Sequence, residues 1–116
     1  MNAIFKRKSI RKFLDKEIED EKIERLLKAG MQAPSAINSQ PWEFLVVNDK
    51  EGIKKIEDMS KYSKPAKTST CCIITLFNND FTERFEDYKW VQQDMGACTQ
   101  NILLQAVEEG LGAVWL

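Results

Sequence analysis

Residues 33–47 read APSAINSQPWEFLVV. The first ten of them hold two prolines, two serines, an asparagine, a glutamine and a tryptophan, and carry no charge. The end of the stretch, WEFLVV, has the aromatic and β-branched content of a strand. Just upstream, residues 18–32 (IEDEKIERLLKAGMQ) place Ile23, Leu26, Leu27 and Met31 at helical spacing with charge on the other face. Asp20 is the expected N-cap, and Pro34 stops the helix. The quoted stretch is therefore the joint between a helix and a strand. It is unusually rich in hydrogen-bonding groups that cannot ionise.

The helix–strand pattern repeats downstream. Residues 49–62 (DKEGIKKIEDMSKY) predict a second amphipathic helix with Ile53, Ile56 and Met59 on one face and Asp49 as its cap. Residues 68–77 (TSTCCIITLF) predict a strand that is apolar at nearly every position, hence central and covered on both faces. Residues 78–90 (NNDFTERFEDYKW) read as a loop with a helical turn. The longest helix is expected from Trp90 to Glu109, with Met95, Cys98, Ile102, Leu103, Ala106 and Val107 on its apolar side and Gly110 as its stop. Its small residues Gly96, Ala97 and Ala106 permit close approach of another helix. GAVWL, 112–116, then predicts a third strand. An apolar strand with nothing after it gives the pattern the look of a fold whose C-terminal part is missing.

Length and composition set bounds. The chain of 116 residues is the size of one domain, spanning 1–116. With 43% hydrophobic and 30% charged residues it has the make-up of a water-soluble globular protein. A net charge of −1 rules out a chain-wide attraction for nucleic acid. No apolar run approaches the roughly 20 residues that span a bilayer. The N-terminus lacks the apolar centre of a secretion signal. Its mix of Ile4, Phe5, Ile10 and Phe13 with basic residues is also compatible with a transit peptide or a short membrane-surface helix, but Asp15 and Glu17 follow at once and the apolar face is short. Three cysteines without a C-x-x-C spacing point to a reducing cytoplasm rather than a disulfide framework, with buried packing expected for Cys71 or Cys72. The absence of histidine excludes Ser-His-Asp and Cys-His catalysis and histidine-containing zinc sites. An enzyme built on this chain needs carboxylates, lysine or a cofactor.

Two segments could bind a ligand. KRKSIRK, residues 6–12, is basic at five of seven positions and carries Ser9. Arginine forks suit phosphate oxygens. On a helix, Arg7 and Arg11 would share a face. The same segment also reads as a solvated basic arm, or as a small anion or nucleic-acid site. In the quoted stretch, Ser35, Asn38 and Gln40 offer uncharged donors and acceptors suited to a flat heterocycle, while Pro34 and Pro41 stiffen the loop. A capped turn between two elements is the other reading. Trp42 is expected in the core.

Three segments occur in order: RKSIRKF at 7–13, APSAINSQPWEFLVV at 33–47 and DMGACTQNILLQAVEEGLGAVWL at 94–116. In them the chain resembles the FMN-dependent nitroreductase family over essentially its whole length. The resemblance implies an α+β fold, three-layered, with a mixed sheet flanked by helices, whose C-terminal part lies beyond Leu116. It implies that Arg7, Ser9 and Arg11, with Lys8 beside them, hold the FMN phosphate. Pro34, Ser35, Asn38 and Gln40 would lie along the flavin, some of them toward a flavin held mainly by the other subunit of a homodimer. The backbone near Leu116 would approach the ring. The implied activity is an NADH- or NADPH-driven oxidoreductase that reduces nitroaromatics, quinones or related acceptors by two hydride transfers through the flavin. No catalytic residue and no metal are implied, and neither nucleic acid nor membrane is an expected partner. A non-catalytic flavin-binding protein is the alternative.

Overall fold

The computed structural model describes residues 2–78 and 90–116. In chain order the elements are α1 (Ala3–Lys6), α2 (Asp20–Met31), β1 (Trp42–Val47), α3 (Lys50–Glu57), β2 (Cys72–Phe77) and α4 (Val91–Glu108), with short 3-10 turns at Ala36–Asn38 and Lys64–Thr68. The fold is α+β, with helices packed around a small antiparallel sheet.

Amphipathic spacing forms α2, whose Ile23 and Leu26 are buried. Its N-cap is Glu19 rather than Asp20. Asp20 is already helical, and with Glu21 it puts negative charge in the first turn, where the helix dipole favours it. Met31, expected on the apolar face, is the last helical residue and is exposed. Asp49 caps α3 as expected, its carboxylate accepting from the Gly52 N–H at 2.9 Å. Met59 lies past the end of that helix and is exposed.

β1 and β2 pair antiparallel, with Trp42 opposite Phe77 and Val47 opposite Cys72. β2 is not covered on both faces. Every one of its residues stays at least partly accessible, and Leu76 and Phe77 are exposed. Its apolar run is thus satisfied by β1 along one edge and by α4, with no second strand neighbour among the described residues. The third strand expected at 112–116 is a single parallel bridge, Ser9 to Ala113. A strand needs consecutive ladder pairs, and this stretch finds one.

α4 is the spine of the molecule. It runs 18 residues and buries Cys98, Ile102, Leu103 and Ala106. It ends in a Schellman turn: Gly110 has φ 73°, the Gly110 N–H donates to the Val107 carbonyl at 3.1 Å, and the Leu111 N–H donates to the Ala106 carbonyl at 2.8 Å. α2 packs along it, clamped at the far end by Arg25. That guanidinium binds the Glu109 carboxylate with both Nε and Nη2, the latter at 2.8 Å. Lys22 Nζ donates to the Glu109 carbonyl at 3.1 Å, and Asn101 Nδ2 to the Ala29 carbonyl at 3.0 Å. The core gathers Leu26, Ala33, Trp42, Cys98, Ile102 and Ala106 from α2, the joint, β1 and α4. Trp42 is buried there, as its place at the strand start implies. Cys71 and Cys72, expected to pack, are only half-buried, and all three cysteines are free. The loop expected at 78–90 falls largely outside the described residues, which omit 79–89. Among those described, no helix is long and apolar enough to cross a membrane.

Candidate functional site

The joint between α2 and β1 is anchored at both ends. Ala33 sits in the core and Pro41 is fully buried. Between them the chain bulges outward through Pro34, Ser35, Ile37, Asn38 and Gln40. Three of these residues have left-handed backbone: Ile37 at φ 51°, Asn38 at 56° and Gln40 at 49°. Asparagine tolerates that region, but a β-branched isoleucine in it is a strained exception. Local bonds hold the shape. The Gln40 N–H donates to Ser35 Oγ at 3.0 Å, Gln40 Nε2 to Asn38 Oδ1 at 3.1 Å, and the Asn38 N–H to the Ser35 carbonyl at 3.0 Å. Asn38 Nδ2 and Gln40 Oε1 keep no intramolecular partner among the described residues. A residue outside the loop adds to them: the Ala36 N–H donates to Asp94 Oδ1 on α4 at 3.0 Å.

The basic segment is not a helix. α1 stops at Lys6, with Arg7 as its C-cap, and the chain continues strand-like into the Ser9–Ala113 bridge. The Ile10 N–H donates to the Ala113 carbonyl at 3.0 Å, and the Ile10 side chain lies over Gly112, where an added Cβ would come within 3.0 Å of it. The helical pairing of Arg7 with Arg11 is thereby replaced by a strand-like one. Alternate residues of an extended strand share a side, a pattern that would group Arg7, Ser9 and Arg11 and set Lys8 and Lys12 with Ile10, although the pairing itself is confined to Ser9. None of Arg7, Lys8 and Arg11 has a carboxylate within 4.0 Å among the described residues, although those residues make six other ion pairs among themselves. Unpaired guanidinium groups beside a hydroxyl are a donor set for an anion such as phosphate.

α4 links the pieces. Its first turn holds the loop through Asp94, and two residues on, Gly96 faces the Trp115 ring, 3.6 Å from where a Cβ would stand. Trp115 precedes Leu116 and follows Ala113, which pairs with Ser9. A cavity of about 680 Å³ opens between β2, α4 and residues 110–116, lined by Ile10, Phe13, Cys71, Ile73, Leu103 and Val114 among others. Of the nine candidate binding residues, only Leu116 lines it. The basic side and the loop do not share this cavity. Burial pushes the Cys98 thiol up to about 11, and burial followed by the neighbouring Cys72 does the same to Cys71, so both stay protonated at neutral pH. Among the described residues no three His, Cys, Asp or Glu side chains gather to hold a metal ion.

Asp94 was not singled out from sequence, yet a signal exists. It precedes Cys98, Ile102 and Ala106 at steps of four, so a carboxylate stands on the buried stripe of the helix. A buried charge needs partners, and a loop amide is one of them here. Gly30 was also passed over. A Cβ there would lie 3.0 Å from Cys98 Sγ and 3.1 Å from Ile102 Cδ1, so it is this glycine that lets α2 approach α4.

The same assembly of segments recurs in known proteins. Residues 4–71 match the profile of the Nitroreductase family. The chain belongs to the nitroreductase family. This nitroreductase chain is 41% identical over 116 residues to a relative from Archaeoglobus fulgidus named "Putative NADH dehydrogenase/NAD(P)H nitroreductase", with all of this chain and 66% of that one covered. A solved structure from Clostridium acetobutylicum, described as "Putative NADH Oxidase", shares 47% identity and a TM-score of 0.92, covering 98% of this chain and 67% of that one. An FMN-dependent nitroreductase from Clostridium difficile R20291 shares 32% identity and a TM-score of 0.86, covering 99% and 64%. The nitroreductase chain thus spans about two thirds of the length of the proteins it matches.

Proposed function

We propose that residues 1–116 form one domain that binds FMN and serves an oxidoreductase drawing electrons from NADH or NADPH. Its acceptors would be nitroaromatics, quinones or related compounds. The observation that carries the binding reading is the side made by Arg7, Ser9 and Arg11: two guanidinium groups and a hydroxyl in strand-like backbone, without carboxylate partners among the described residues. These groups would hold the phosphate, with Lys8 adding charge from the other side of the strand. Pro34, Ser35, Asn38 and Gln40 would lie along the ring system, where Asn38 Nδ2 and Gln40 Oε1 supply a donor and an acceptor to a neutral heterocycle. The backbone at Leu116 would close the ring side. The residues present therefore fit the group in both charge and hydrogen-bonding type.

FMN, when bound, would supply the electron transfer between nicotinamide and acceptor. The chain's own part is to bind, orient and shield. Charge-assisted bonds fix the phosphate end, and the strained loop sets the face of the ring. Since neither the basic side nor the loop lines the cavity that Leu116 does, we assign them to two sites shared across a homodimer, each loop serving its partner's flavin. The proposed setting is the cytoplasm.

An absorption spectrum of the purified chain tests this, taken alone, with added FMN, and then with NADH or NADPH under anaerobic conditions. A flavin band that stays with the protein on gel filtration and bleaches with the nicotinamide is the expected result. A protein that retains no flavin from excess FMN would overturn the reading.

A further inference from the structure

The Asp94 carboxylate is buried, only 6% accessible, and it receives the Ala36 N–H at 3.0 Å. Ala36 opens the 3-10 turn that contains Ile37 and Asn38, both left-handed, and Gln40 follows in the same region. Backbone in that region persists only where the surroundings over-determine it. Four of the restraints are internal to the loop: Ser35 Oγ accepts from the Gln40 N–H, Asn38 Oδ1 from Gln40 Nε2, the Ser35 carbonyl from the Asn38 N–H, and the Ala36 carbonyl from the Ser39 N–H. Internal bonds fix a shape but not its place. The bond to Asp94 ties that shape to α4, the most deeply buried helix of the fold. The bond is charge-assisted and part-buried, which makes it stronger than an ordinary amide contact.

We propose that Asp94 is a positioning residue for flavin binding. Through the Ala36 amide it sets the loop so that Asn38 and Gln40 meet the ring, without itself touching the ligand. The inference rests on the FMN reading given above. It also makes a claim about the ligand-free loop that stands apart from that reading.

The test uses the whole chain with Asp94→Asn and Asp94→Ala. Asparagine keeps an oxygen acceptor of the same shape but loses the charge, while alanine removes the acceptor. Amide hydrogen exchange is measured across residues 36–40 in flavin-free protein, and affinities for FMN and riboflavin are then measured by flavin fluorescence. The expected order of loop exchange is wild type slowest, Asp94→Asn faster, Asp94→Ala fastest. Asp94→Ala is expected to weaken FMN and riboflavin by the same factor, about tenfold, because the phosphate side is untouched. General damage to the fold would also weaken both flavins equally, but it would speed amide exchange throughout α2 and α4 and not only across 36–40, so exchange outside the loop separates the two cases. Unchanged loop exchange in the variants overturns the proposal, and Asp94→Asn alone decides this if Asp94→Ala does not fold. Faster exchange with unchanged flavin affinities also overturns it, because the loop would then not meet the ring. If the wild type binds neither flavin, the FMN reading fails and the positioning role fails with it, while the exchange data still show whether Asp94 anchors the loop.

Discussion

Arg11 is exposed and has no carboxylate partner among the described residues, so its guanidinium adds little to the fold. Its charge matters only if an anion arrives. Arg11→Ala is therefore expected to leave the thermal midpoint unchanged and to weaken FMN by roughly 1.5–3 kcal/mol, the worth of a charge-assisted bond. That is roughly 10- to 150-fold in affinity. Riboflavin, which lacks the phosphate, should bind the variant as it binds the wild type, and equal loss for both flavins in parallel fluorescence titrations would remove Arg11 from the phosphate site. At this scale residue type alone suggests a chemistry for Arg7, Ser9, Arg11 and Asn38, and the titrations above are what test it. The sequence was silent on Ile37. Nothing in a β-branched residue foretells left-handed backbone, because its own sterics oppose it and the surrounding bonds impose it.

The α2–α4 pair carries the fold, and two substitutions test it. Gly30→Ala puts a methyl 3.0 Å from Cys98 Sγ and 3.1 Å from Ile102 Cδ1. Alanine gains about 1 kcal/mol in helix propensity, but Cys98 is wholly buried and has nowhere to move. Overpacking at such a site costs about 1–3 kcal/mol, so a net loss of about 1 kcal/mol is expected, read as a lower midpoint in thermal unfolding. A raised midpoint would show that the two helices can part. At the other end, Arg25 holds the Glu109 carboxylate down to about 2, from an ordinary 4.5, against the opposing pull of desolvation, with Gln105 adding a further bond. A carboxylate with a lowered folded-state pKa stabilises fully above about 4.5 and loses that contribution as pH falls toward about 2. Glu109→Gln should unfold at a lower temperature than wild type at pH 7, and the gap should narrow through that window. A constant gap from pH 6 to pH 2.5 would show that the pair does not couple to folding. Helices were legible here because their apolar period is local, as in α3 and α4. The third strand at 112–116 was misread because pairing is not local: the same apolar run becomes a strand or a single bridge according to what Ser9 and its neighbours present.

The whole molecule exposes 8219 Å², against about 6,500 Å² expected for a compact monomer of this mass. Large apolar side chains account for part of the excess, with Phe5, Leu14, Met59 and Tyr62 each more than 70% exposed. Such a chain has a small margin of its own, and whatever binds only the folded form will show strongly in its stability. At 100 times its dissociation constant a ligand adds about 2.7 kcal/mol, which for a domain of this size raises the unfolding midpoint by roughly 10 °C. If FMN binds across a homodimer, its gain should also grow with protein concentration, because association and ligand binding then draw on the same folded species. Differential scanning fluorimetry across a hundredfold range of protein, with and without saturating FMN, separates the cases. A rise with both variables supports a flavin site shared between subunits. A rise with FMN alone places the basic side and the loop in one chain's site, against the division proposed here. No rise with FMN leaves the unpaired arginines without their anion, and the flavin reading falls with it.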